Sequence, residues 1–128
     1  MKVLRIDHLV LTVSSIPRSV AFYRDVLGVE EKLFGEDRIA LSLGEQKINL
    51  HQVNHTFEPK AACPMPGSAD LCFVVEDLDA AVSRIARAGI TIEEGPVTRS
   101  GALGPIQSIY VRDPDLNLIE LSVYGTAA

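Results

Sequence analysis

An internal repeat constrains this chain more than any other feature. Displaced by 62 residues, "HLVLTVSSIPRSVAFYR" from His8 lies on "DLCFVVEDLDAAVSRIA" from Asp70. Apolar positions then coincide: Leu9 with Leu71, Leu11 with Phe73, Val13 with Val75, Ile16 with Leu78, Val20 with Val82 and Tyr23 with Ile85. Later in each half the displacement grows to 69, so that "ALSLGEQKINLHQV" from Ala40 lies on "IYVRDPDLNLIELS" from Ile109. Repetition at this length implies two copies of one supersecondary unit rather than a stack of short repeats.

Each half reads strand, helix, strand, strand, strand. The first helix starts near Ser14 or Ser15, a hydroxyl N-cap, with Pro17 early, where its missing N–H costs nothing. Val20, Tyr23, Val26 and Leu27 form an apolar stripe, and Gly28 stops the helix. In the second half Asp77 or Asp79 caps a helix whose Leu78, Val82 and Ile85 face inward, and Gly89 ends it. Segments 29–34, 38–43 and 47–53 read as strands, as do 90–97, 106–112 and 117–124, with "GEQK" and "DPDLN" as tight turns. The modules span about 3–54 and 69–124, joined by a Pro-rich linker over 55–68. Two βαβββ modules in one 128-residue domain predict an α+β fold. Its strands would form an open, curved mixed sheet with helices outside and a concave cavity.

Composition narrows the partners. A net charge of −5, with scattered basic residues, argues against nucleic acid. No apolar run approaches the ~20 residues that span a bilayer. The apolar N-terminal segment is broken by Asp7 and His8, which suits a first strand and not a signal peptide. On that reading the protein is cytoplasmic, and Cys63 and Cys72 are reduced thiols.

Strand alternation sorts the side chains by face. Leu9, Leu11 and Val13 share one face, so His8 lies on the other; Leu71, Phe73 and Val75 likewise leave Asp70 opposite. His51 opposes Ile48 and Leu50, and Glu120 opposes Ile119, Leu121 and Val123. The repeat pairs His8 with Asp70 and His51 with Glu120. Desolvating an unpaired carboxylate costs several kcal/mol, so Glu120 within "LIELSVY" faces water or a positive partner.

Together "IDHLVLTV", "SVAFYRDVLGVE" and "IYVRDPDLNLIEL" resemble the vicinal oxygen chelate superfamily, which includes glyoxalase I, extradiol dioxygenases, fosfomycin-resistance transferases and bleomycin-resistance proteins. The resemblance runs over roughly residues 3–124 and is most specific at the opening His strand and the closing Asp-Pro-Asp…Glu hairpin. It implies a divalent metal (Zn, Ni, Fe, Mn or Co) held by His8, His51 and Glu120, with Asp70 where relatives use histidine, as a further ligand or a hydrogen-bond partner of one. Such a set suits a site whose open positions accept two substrate oxygens. By the same resemblance Glu120 is the moving base, and the protein is a homodimer.

Further candidates are Arg99, in a glycine-rich loop over 94–110 expected to be mobile, for an anionic substrate group, and Tyr110 for substrate contact. His55 and Lys60 read as surface, and the Asp113–Asp115 run as turn chemistry. The function implied is a metal-dependent glyoxalase-like lyase or isomerase. Two alternatives stand beside it: a ring-cleaving dioxygenase with Fe or Mn, and a non-enzymatic protein that sequesters an antibiotic or toxin.

Overall fold

The same device opens the helix in each half. The Ser15 hydroxyl accepts from the Arg18 amide at 3.3 Å and the Asp77 carboxylate from the Ala80 amide at 3.1 Å, both caps having extended backbone. These two caps, like the first helical residues Ile16 and Leu78, keep the displacement of 62. The computed structural model describes residues 1–125. In it the chain forms two compact units, Met1–Gly67 and a second from Ser68. The first contains β1 (His8–Val13), α1 (Ile16–Ala21), β2 (Glu30–Phe34), β3 (Arg38–Leu43) and β4 (Gln46–Gln52). The second contains β5 (Asp70–Val74), α2 (Leu78–Arg87), β6 (Glu94–Gly101), β7 (Gly104–Arg112) and β8 (Leu118–Tyr124).

The two sheets share one topology. Their strand orders are β1-β4-β3-β2 and β5-β8-β7-β6. In each, the first strand runs parallel to the last and the other pairs are antiparallel. The expected α+β fold of two βαβββ modules is therefore present, each with a mixed four-stranded sheet. In the first module Leu11, Val13, Leu41, Ile48 and Leu50 are buried, as are the helical Val20 and Tyr23; in the second Ile109, Val111, Ile119 and Leu121 are buried with Ile85 of α2. Among the described residues no helix is long and apolar enough to cross a membrane, and both cysteines are unpaired.

The halves differ by single residues at two places. Gly28 follows Ile16 by 12 positions but Gly89 follows Leu78 by 11, and both close their helices at φ 73°. The additional residue is taken up by a wide π-helical turn over Phe22–Val26, where the Leu27 amide reaches back five residues to the Phe22 carbonyl at 3.3 Å. The second difference lies in the last hairpin. Ile48 pairs with Leu9 and Leu41, whereas Ile119 pairs with Leu71 and Val111, so the β7–β8 connection holds one residue more than β3–β4.

This register corrects one equivalence. The displacement on the last strand is 71 and not 69, so Asn49, not His51, occupies the place of Glu120, and His51 occupies that of Ser122. Because the error is two residues, the face assignments survive it; a slip of one would have reversed them. The Asp113 carboxylate shapes the longer turn. It accepts from the amides of Asp115 and Asn117, at 2.9 Å each, and from the Asn117 side chain at 2.7 Å. Asn117 in turn accepts from the Ala69 amide at 2.9 Å, which fixes the entry to β5.

The glycine-rich segment expected as a mobile loop is instead a β-hairpin, β6–β7, closed over Ala102 and Leu103. Its irregularity is a register shift between Glu94 and Val97. Gly95 sits there at φ 111°, and a Cβ would collide with the Ser108 carbonyl. The glycines serve close backbone approach and turning, not mobility.

Candidate functional site

On the second sheet, register places Asp70, Cys72 and Val74 of β5, Leu118, Glu120 and Ser122 of β8, Ser108 and Tyr110 of β7, and Arg99 of β6 on one face. Glu120 is half-buried there. Its Oε2 accepts from Ser108 Oγ at 2.6 Å and from Ser122 Oγ at 3.3 Å, and the two hydroxyls are 2.7 Å apart. Both serines are fully buried, so hydroxyls on neighbouring positions supply the desolvated carboxylate with hydrogen bonds.

Tyr110, directly across from Glu120, accepts from Arg99 Nε at 3.1 Å. Burial pushes the Tyr110 phenol up, and the Glu120 charge adds to this, so the phenol stays protonated near neutrality. Arg99 also pairs with Glu94 at 3.1 Å, so its charge is answered within the sheet. Cys72, across from Glu120, touches Ser122 Oγ at 3.2 Å. Burial first, then the charges of Glu120 and Asp70, push its thiol up. It is a neutral thiol and not a thiolate donor.

The corresponding face of the first sheet carries His8 and Thr12 of β1, Lys47, Asn49 and His51 of β4, Arg38 and Ala40 of β3, and Lys32 and Phe34 of β2. Where the second module has the Ser108–Ser122 contact, the first has Arg38 Nη2 donating to His51 Nε2 at 3.3 Å. The Arg38 guanidinium lies over Phe57 at 4.3 Å and Phe34 at 4.8 Å, and Lys47 Nζ lies 3.6 Å from the Phe34 ring centre. His51 is 3% exposed and meets Phe57 edge to face. Burial, and then the Arg38 charge, hold its imidazolium below the ordinary range. His51 Nδ1 and Asn49 Oδ1 are buried without hydrogen-bond partners.

The predicted metal ligands distribute unevenly. His8 lies across from Lys47 and His51 across from Thr12, four positions on. At ~3.3 Å per residue that separates their backbones by roughly 13 Å, so within this module one ion cannot bind both. His8 is exposed and its Nδ1 bonds Asp7 at 2.8 Å, while His51 spends Nε2 on a cation. Asp70 is exposed, two positions from the residue across from Glu120. The donor types, imidazole and carboxylate, fit a divalent cation. Their grouping does not: among the described residues no three His, Cys, Asp or Glu side chains are placed to hold one.

Sequence reasoning missed Ser108, Ser122, Asn49 and Arg38. The serines carry no distinctive spacing, and Asn49 was hidden by the register error. Arg38 lies two residues before Ala40 on a strand whose pattern was read only for its apolar positions.

Residues 5–121 match the sequence model of the Glyoxalase/Bleomycin resistance protein/Dioxygenase superfamily. The chain is 59% identical over 121 residues to the virulence protein STM3117 of Salmonella typhimurium, covering 94% of this chain and 84% of that protein. The crystal structure of that protein superposes with a TM-score of 0.95 over 98% of this chain and 100% of the other. The glyoxalase domain-containing protein RDO1 of Mycosarcoma maydis is 53% identical, over 99% of this chain and 72% of its own length. An integron cassette protein from the mobile metagenome of V. cholerae is 54% identical with a TM-score of 0.95, covering 98% of each chain.

Proposed function

From its place in the Glyoxalase/Bleomycin resistance protein/Dioxygenase superfamily, to which this chain belongs, we propose that the protein is a glyoxalase-like lyase or isomerase. Its substrate is a small molecule presenting two vicinal oxygens, and its reaction moves a proton at the carbon beside a carbonyl. Glu120 is the base. The observation that carries this reading is the half-buried Glu120 carboxylate, held by Ser108 at 2.6 Å and backed by Ser122. A base whose orientation is locked by buried hydroxyls presents its oxygens without reorganisation when a proton arrives. Glu120 takes the proton from one carbon and returns it at its neighbour, while the protonated Tyr110 phenol keeps Arg99 in place beside it.

A divalent cation, when bound, would polarise the substrate oxygens. Within the second module Asp70 and Glu120 offer it carboxylate oxygens, while within the first His8 and His51 are too far apart to share it.

The test is solvent-exchange NMR on a panel of thiol adducts of 2-oxoaldehydes, with metal-reconstituted protein. The substrate should lose its proton from the carbon next to the carbonyl to deuterated solvent, and Glu120→Gln should slow that exchange by about 10²-fold or more, the usual worth of a positioned base. Exchange that survives in Glu120→Gln refutes the assignment. Tight binding of a compound without exchange or metal uptake would favour the sequestering alternative, which the cation-rich first sheet supports.

A further inference from the structure

On the first sheet Arg38 and Lys47 converge on one aromatic ring. Among the described residues no carboxylate lies within ion-pair distance of Arg38 or Lys47. Both cations approach one ring, Lys47 Nζ at 3.6 Å and Arg38 Cζ at 4.8 Å from the centre of Phe34. Cation–π attraction neutralises neither charge. In a chain of net charge −5, two neighbouring cations without a carboxylate in contact form a local positive field that an anion would relieve, Asp7 acting on Lys47 only from a distance.

Arg38 is also pre-positioned. Phe34 and Phe57 lie against its guanidinium and His51 Nε2 takes one N–H. An arginine can only donate, so Nε2 is bare and the remaining His51 proton sits on Nδ1, buried and unpartnered. Two positions along β4, Asn49 Oδ1 is buried and unpartnered as well. An arginine fixed by two rings and an acceptor loses little freedom when its other N–H groups engage a ligand. The second module has neutral Ser108 and Ser122 at the corresponding register, so this arrangement belongs to the first module alone.

We infer that this face of the first module is an oxyanion receptor, in which Arg38 supplies a hydrogen-bonding fork and Lys47 a point charge to a carboxylate or phosphoryl group of a small molecule. The site requires neither a metal nor Glu120, so its test is separate from that of the proton-transfer reading.

The experiment is a ¹H–¹⁵N correlation titration of the full chain with inorganic phosphate, with malonate, and with potassium chloride at matched ionic strength. At least one of the two oxyanions should give saturable shifts concentrated in residues 34–38 and 47–51, and chloride should not. The anion that saturates at lower concentration identifies the group as phosphoryl or carboxylate. Arg38→Lys, which keeps the charge but removes the fork, should weaken binding about tenfold or more, as loss of a charge-assisted hydrogen bond implies. Lys47→Met, at a half-buried position that does not touch His51, should also weaken it and decides the matter if Arg38→Lys fails to fold. Absence of saturable shifts with both oxyanions, or shifts that persist unchanged in Lys47→Met, overturns the inference.

Discussion

Replacing Ser108 with alanine tests whether Glu120 is held as an ionised, oriented carboxylate. Ser108 Oγ is fully buried and lies 2.6 Å from Glu120 Oε2, a distance typical of a hydroxyl donating to a charged acceptor. Such bonds contribute about 1.5–3 kcal/mol, against about 0.5–1.5 for a neutral pair. The substitution removes one oxygen and leaves little cavity. Ser122, already 3.3 Å from the same carboxylate oxygen, can swing onto it and offset part of the loss. Ser108→Ala should therefore cost about 2 kcal/mol in the native background. In a Glu120→Gln background the acceptor is neutral and the same change should cost about 1 kcal/mol. The double-mutant cycle, read by urea unfolding followed by circular dichroism, then gives a coupling of about 1 kcal/mol. Additivity would mean that the short Ser108–Glu120 distance carries no charge-assisted bond, and the case for a pre-oriented base would fall with it.

Two further outcomes follow from buried groups. The unfolded chain takes up a proton on His51 near pH 6.5, while the folded chain resists it because of burial and Arg38. The His51 contribution is thus fully present above that pH and is lost as pH falls below it. The urea midpoint should drop between pH 7.5 and 5.5, and His51→Gln should reduce that drop; an equal drop in the variant refutes the attribution. Asp113→Ala deletes the acceptor of three hydrogen bonds in the β7–β8 turn and should cost roughly 3 kcal/mol by chemical denaturation, a loss under 1 kcal/mol counting against its role.

Elements governed by local chemistry were legible in the sequence. Ser15 and Asp77 cap their helices because a short oxygen side chain can reach an amide three residues on, whatever surrounds it. Faces were legible for the same reason: alternation along "INLHQ" and "LIELS" needs no partner strand. Register did need one. A displacement of 71 depends on one additional residue in the turn that Asp113 organises, and periodicity is blind to turn length. The candidate site suffered accordingly. Glu120 was found because a carboxylate among apolar neighbours is conspicuous, but its serine partners look like ordinary small strand residues. The Arg38–His51 pair joins adjacent strands in a way that only the hairpin register reveals. Arg99 was singled out for an anionic substrate group, and the hairpin that replaces the expected loop brings Glu94 to it.

The wide turn at Phe22–Val26 has a consequence for where the first module can change length. A helix that absorbs a surplus residue as a bulge keeps its cap at Ser15 and its stop at Gly28 undisturbed, and the sheet downstream never registers the change. Removal of Arg24 or Asp25, both solvent-facing, would regularise the coil and give the two helices equal spans. The first module should therefore tolerate the loss of one residue at this point without a change in strand register.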